Sequence, residues 1–118
     1  MKQILIVEDD KAILELIAEF LSSTGASVRA FQDPLQALDF LKASPPFDLI
    51  LLDLMMPKMD GTAFRNQQLE IDNWKKVPVV IMSASSNAQA KYLELKADGM
   101  LRKPFELDDL LHAVEKYA

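Results

Sequence analysis

Three stretches of the chain are continuously apolar: Ile4-Leu5-Ile6-Val7, Leu49-Ile50-Leu51-Leu52 and Val79-Val80-Ile81-Met82. Short unbroken runs of this kind suit strands buried on both faces, as in a parallel sheet covered by helices. Ser27-Val28-Arg29-Ala30-Phe31 alternates polar and apolar residues instead, which suits an edge strand. Met100-Leu101-Arg102 is a shorter, weaker strand candidate, also suited to an edge. Between these runs the apolar residues fall at helical spacing. Ile13, Leu16, Ile17, Phe20 and Leu21 share one face, and Leu35, Leu38 and Leu41 another. A polar helix carries Ala90, Leu93 and Ala97, and the clearest period is Leu107, Leu110, Leu111, Val114 and Tyr117. Thr62 to about Asn73 reads as a more polar helical segment, in which Phe64, Leu69 and Ile71 fit no clean stripe.

The punctuation agrees with this reading. Asp10 suits an N-cap and Gly25 a C-terminal stop. Asp33-Pro34 reads as a cap followed by proline at the first helical position, and Pro45-Pro46 ends that helix. Strand and helix therefore alternate five times, which predicts right-handed crossovers and an α/β, flavodoxin-like doubly wound sheet. With the continuous runs in the middle, the strand order is 2-1-3-4-5 with helices on both faces. The 118 residues predict one domain, 1–118, with a single core. Half the residues are hydrophobic, which argues against disorder. The net charge of −5 and the lack of a basic patch disfavour direct nucleic-acid binding. No cysteine is present, so disulfides and thiolate metal sites are excluded. No apolar run approaches membrane-spanning length, and Met1-Lys2-Gln3-Ile4 enters a strand without a signal-peptide pattern. The expected setting is cytoplasmic.

The candidate chemistry centres on Phe47 to Gly61, where the apolar run Leu49 to Leu52 reaches a single carboxylate, Asp53, before Pro57 and the turn signal Asp60-Gly61. Parallel strands end on one sheet edge, where ligands of such folds bind. There the first strand ends at Glu8-Asp9, the third at Asp53, the fourth at Ser83 and the fifth at Lys103. Clustered carboxylates raise one another's pKa unless a cation joins them. Lys103 is one cation, and oxygen-only ligation points to Mg²⁺ as the second. A carboxylate can also be a phosphoryl acceptor. Mg²⁺, Lys103 and the Ser83 hydroxyl would then neutralise the transferring group.

These pieces together resemble the receiver domains of response regulators from two-component signalling, chemotaxis regulators among them. The resemblance rests on Ile4 to Asp10, Asp48 to Gly61, Met82-Ser83-Ala84 and Lys103-Pro104-Phe105, and it covers the whole chain. It implies that Asp53 is the phosphorylated aspartate and that Asp9 binds Mg²⁺ directly, with Glu8 acting mainly through water. It adds the backbone carbonyl of Met55 as a metal ligand. Ser83 would hydrogen-bond the phosphoryl group, Lys103 would pair with it, and the Lys103-Pro104 bond resembles the family's cis proline. The donor implied is the phosphohistidine of a histidine kinase or histidine phosphotransfer protein. An output domain or effector protein would receive the signal, and homodimerisation on phosphorylation is a further outlet. Receivers usually carry an aromatic ring where this chain has Met100, and their phosphoryl lifetime is tuned at the positions of Met55 and Ser85.

Three other readings set the contrast. An aspartyl-nucleophile, metal-dependent phosphatase would carry a second aspartate at Met55. A flavin-binding protein of this topology would need a phosphate loop in place of Glu8-Asp9-Asp10. A pseudo-receiver would only bind partners, which the complete acidic, hydroxyl and lysine set argues against. His112, the single histidine, reads as a surface or packing residue, and Trp74 and Tyr92 read as surface packing.

Overall fold

The computed structural model describes residues 1–118. Ten elements alternate along the chain: β1 (Gln3–Val7), α1 (Lys11–Ser23), β2 (Ser27–Phe31), α2 (Pro34–Ala43), β3 (Leu49–Asp53), α3 (Gly61–Gln68), β4 (Val79–Ser83), α4 (Ala88–Leu95), β5 (Gly99–Arg102) and α5 (Leu107–Tyr117). The strands form one parallel sheet in the order β2-β1-β3-β4-β5. The expected fold class and strand order hold.

The three apolar runs occupy the middle because both of their faces are covered. Leu5, Val7, Ile50, Leu52, Val79 and Ile81 point into one apolar layer with α2, α3 and α4. Ile4, Ile6, Leu49, Leu51, Val80 and Met82 point into the other with α1 and α5. The core is therefore two layers separated by the sheet, where the chain length alone suggested a single one. β2 lies at the edge, with Arg29 and Ala30 exposed.

The caps form as their residue types dictate. Asp10 accepts the Ile13 N–H at 3.1 Å, Asp33 the Leu35 N–H at 2.9 Å and Asp60 the Ala63 N–H at 2.8 Å. Gly25 takes φ +95 just past α1, a conformation open to glycine at little cost.

Four details depart from the pattern. In α4 the buried residues are Ala88 and Leu95, whereas Ala90 and Leu93 of the expected face are exposed. The buried stripe of α1 is Leu14, Ile17 and Leu21, whereas Leu16 is 56 % exposed. The helix carries apolar residues on adjacent stripes, and only one of them can face the sheet. α3 stops at Gln68 rather than near Asn73. The Gln68 amide turns inward and donates to the carbonyls of Trp74 at 2.9 Å and Val77 at 3.2 Å, which folds residues 69–77 into turns. Trp74 itself is fully buried, not a surface residue.

Candidate functional site

The sheet's hydrogen bonds run one residue past several strands and so fix the first residues of the loops. The Glu8 N–H donates to the Phe31 carbonyl at 3.0 Å, Leu54 to Met82 at 3.2 Å, and Lys103 to Ser83 at 2.8 Å. Glu8, Asp53, Ser83 and Lys103 thus share the carboxyl edge of the sheet, as their positions in the sequence implied. Glu8, Asp53 and Ser83 are all nearly or fully buried.

The loop after Asp53 is closed by backbone contact. The Gly61 N–H donates to the Leu54 carbonyl at 3.0 Å. A Cβ on Gly61 would lie 2.6 Å from Leu54 Cδ2 and 2.9 Å from Leu54 Cα, so only glycine fits there. Inside the loop, the Met55 N–H donates to Asp53 Oδ1 at 3.3 Å while the Met55 side chain stands 68 % exposed at the rim.

Lys103 Nζ lies 2.6 Å from Glu8 Oε1 and 3.4 Å from Asp53 Oδ1. The other Glu8 oxygen accepts the Asp10 N–H at 3.1 Å. The pattern of acids did not announce this arrangement: Glu8 is chiefly the buried partner of Lys103. One carboxylate oxygen each from Glu8, Asp9 and Asp53 lies within 4.8 Å of the others. Three carboxylates facing one ammonium leave an excess of negative charge and a set of hard oxygen donors. Such a donor set fits a hard divalent cation. Ser83 Oγ accepts the Ser85 N–H at 3.0 Å, which leaves its hydroxyl proton to be donated into the site. Met100 pairs with Ile81 in the sheet and is half-buried against the α2–α4 layer. His112 is exposed on α5.

Burial pushes the Asp53 carboxyl up to about 8, with the nearby Glu8 and Asp9 carboxyls adding to the rise and Lys103 opposing it. Burial pulls Lys103 down, but its hydrogen bonds and charge attraction to Glu8 and Asp53 outweigh this and leave it raised. The ammonium therefore stays charged.

A pH dependence follows. Asp53 holds its proton more tightly in the folded protein than at its ordinary value of 3.8. The stability this gives is complete below about pH 4 and is lost as pH rises toward about 8. In chelator, Asp53→Asn is expected to be more stable than wild type at pH 8 by on the order of 2 kcal/mol, less than the full linkage figure because the neighbouring Glu8 and Asp9 carboxyls share the proton binding. The advantage should vanish near pH 4. Denaturant unfolding of both proteins across this range checks it, and a difference that does not vary with pH would contradict it.

The response regulator receiver domain model matches residues 4–115. The chain belongs to this family. Among curated relatives, the response regulator MprA of Mycobacterium sp. (strain KMS) is 35 % identical over 111 residues, covering 92 % of this chain and 47 % of that protein. The chain thus spans about half the length of the curated relatives it matches. Among solved structures, the chemotaxis response regulator CheY4 of Vibrio cholerae superposes with a TM-score of 0.91 at 26 % identity, covering 100 % of this chain and 99 % of that one. The receiver domain of a sensor histidine kinase from Pseudomonas aeruginosa gives a TM-score of 0.89 at 25 % identity, covering 98 % and 96 %. That receiver was solved with a magnesium ion coordinated in its active site cleft. This chain is accordingly a receiver of phosphorylation-based signalling, and its acidic cluster could hold a metal ion. No helix is long and apolar enough to cross a membrane.

Proposed function

We propose that this receiver accepts a phosphoryl group on Asp53 in the presence of Mg²⁺ and thereby switches its interactions with an output domain or effector protein. The observation that carries the reading is the meeting of Asp53 with Lys103 at 3.4 Å beside the Glu8 and Asp9 carboxylates. The donor is the phosphohistidine of a kinase or phosphotransfer protein. An Asp53 carboxylate oxygen bonds to phosphorus as the P–N bond breaks, and that bond's electrons go to the donor imidazole. The charge on the equatorial oxygens is met by the Lys103 ammonium and the Ser83 hydroxyl. Asp9 and Asp53, the Met55 carbonyl and, through water, Glu8 would hold Mg²⁺, which supplies further neutralisation of the phosphoryl oxygens. The chain modifies itself rather than turning over an external substrate, in a cytoplasmic setting.

An apolar cleft of about 370 Å³ adjoins Lys103 between α1 and the start of α5, lined by Ile13, Leu16, Pro104, Phe105 and Leu107 among others. The exposure of Leu16 at 56 % and Leu107 at 38 % is accounted for if a helix of the phosphodonor protein packs there.

The test is intact-mass spectrometry after incubation with acetyl phosphate or phosphoramidate and Mg²⁺. Wild type should gain one phosphoryl group, and neither Asp53→Asn nor wild type in chelator should. Equal labelling of Asp53→Asn would overturn the assignment. Turnover of an external phosphomonoester would favour the phosphatase reading, against which Met55 stands where that chemistry wants an aspartate.

A further inference from the structure

Two side chains between β2 and α2 reach the loops that carry the acidic cluster. Gln32 Nε2 donates to the Asp9 carbonyl at 3.0 Å. Asp33 divides its carboxylate between two tasks. One oxygen caps α2 through the Leu35 N–H at 2.9 Å, and the other pairs with Lys58 Nζ at 2.9 Å. Lys58 belongs to the 54–60 loop, between Met55 and the Asp60 cap of α3. Asp33 is a firm anchor, because the helix N-terminus holds one oxygen and Pro34 restricts the next residue. Its side chain is 20 % exposed and that of Lys58 58 %, so the pair is anchored at its Asp33 end and open to solvent at the other. The hydrogen bond from Lys58 holds the Asp33 carboxyl below its ordinary range. A polar recess of about 240 Å³ lies among these residues, walled by Asp9, Gln32, Asp33, Pro34, Pro57 and Lys58.

We propose that Gln32 and the Asp33–Lys58 pair form a latch that positions the metal site, tying the Asp9 backbone and the 54–60 loop to the start of α2. The inference rests on the reading of this site as a Mg²⁺ site and deepens it. The three side chains are positioning residues and not ligands. Asp9 and Met55 both lie just past strand ends, where the sheet ladder stops. Mg²⁺ demands near-octahedral geometry, so looseness in either loop costs affinity. Residues that orient ligands commonly change metal affinity by about tenfold or more.

The opposite charges of the pair give a clean test. Lys58→Met removes a cation near the site, whereas Asp33→Asn removes an anion and keeps a residue able to cap α2. Acting only through their fields, the two changes would move Mg²⁺ affinity in opposite directions, with Lys58→Met tighter. The latch requires both to weaken it, by about tenfold. The double variant should be no weaker than the worse single. Gln32→Leu should weaken binding as well, and Lys58→Arg, which can keep the pair, should restore it. The measurement is a Mg²⁺ titration of the whole chain by amide NMR, with Asp9→Asn as the control that loses the site. Metal-free melting temperatures should move by about 3 °C or less, as expected for a pair near the surface. Tighter or unchanged binding in Lys58→Met, with wild type binding Mg²⁺, would overturn the latch alone. A wild type that binds no Mg²⁺ would overturn the latch and the reading of the site together.

Discussion

Replacing Lys103 with methionine is expected to slow phosphoryl uptake at Asp53 by roughly a hundredfold or more, and to destabilise the metal-free protein increasingly as pH rises. The kinetic loss follows from its position. Lys103 is the cation nearest Asp53, at 3.4 Å, and removing one preorganised group of this kind typically costs about 10²–10³ in rate. The stability loss has a separate cause. Glu8 has no solvent exposure, and its pair with Lys103 at 2.6 Å is its compensation for leaving water. Breaking a buried pair from one side leaves an uncompensated charge. A proton on Asp53, already held up to about 8, would relieve part of the strain, so the cost should be roughly 1–3 kcal/mol near pH 8 and small near pH 4. Mg²⁺ should then stabilise Lys103→Met more than wild type, because the ion replaces missing positive charge. Labelling rates with a small phosphodonor, and melts with and without Mg²⁺, check both halves. An unchanged rate would remove Lys103 from the phosphoryl site. Equal Mg²⁺ stabilisation of the two proteins would mean that the ion and the ammonium do not share the same carboxylates.

The sheet was legible because burial on both faces leaves a local mark. Leu49 to Leu52 must be apolar at every position when α1 and α5 cover one side and α2 to α4 the other. The caps at Asp10 and Asp33 were legible for the same reason, since a cap acts within three residues of itself, whereas Asp60 read only as part of a turn. The convergence of Glu8, Asp53, Ser83 and Lys103 was legible because strand ends of a parallel sheet share an edge. Contacts between elements left no such mark. Nothing near Glu8 in the chain announces that it pairs with a residue 95 positions away. Asp33 was readable as a cap but not as the partner of Lys58, because the second task depends on where the 54–60 loop lies. Leu16 matches the apolar stripe of α1 yet faces the cleft beside Phe105, since the period shows that a face exists and not which of two adjacent stripes meets the sheet.

Trp74 is the sharpest case, and it yields the largest expected stability change. It lies among polar neighbours, with Asp72-Asn73 before it and Lys75-Lys76 after, so its surroundings in the chain suggest an exposed turn. In the fold it has no exposure. Its ring lies 5.4 Å from Phe47 and 6.4 Å from Phe40, centroid to centroid, and its Nε1–H donates to the Ser44 carbonyl at 3.1 Å. Its own carbonyl accepts the Gln68 amide at 2.9 Å. The side chain thus closes the layer beneath α2 and α3 at the end of the sheet opposite Asp53. Trp74→Ala is expected to cost about 3–5 kcal/mol, a large share of a typical total of about 5–15 kcal/mol, and to lower the melting temperature by roughly 10–20 °C. Trp74→Phe keeps most of the apolar volume but leaves the Ser44 carbonyl without its donor, so it should cost about 1–3 kcal/mol. Well below its melting temperature, Trp74→Phe should still label at Asp53 at nearly the wild-type rate, because the ring's partners, Phe40, Phe47 and Ser44, lie away from the Asp53 cluster. Calorimetric melts of the three proteins, with labelling of Trp74→Phe at low temperature, separate the two roles. A loss below about 1 kcal/mol in Trp74→Ala would mean that the ring does not fill the core. A large loss of labelling in a folded Trp74→Phe would mean that this end of the sheet is coupled to Asp53.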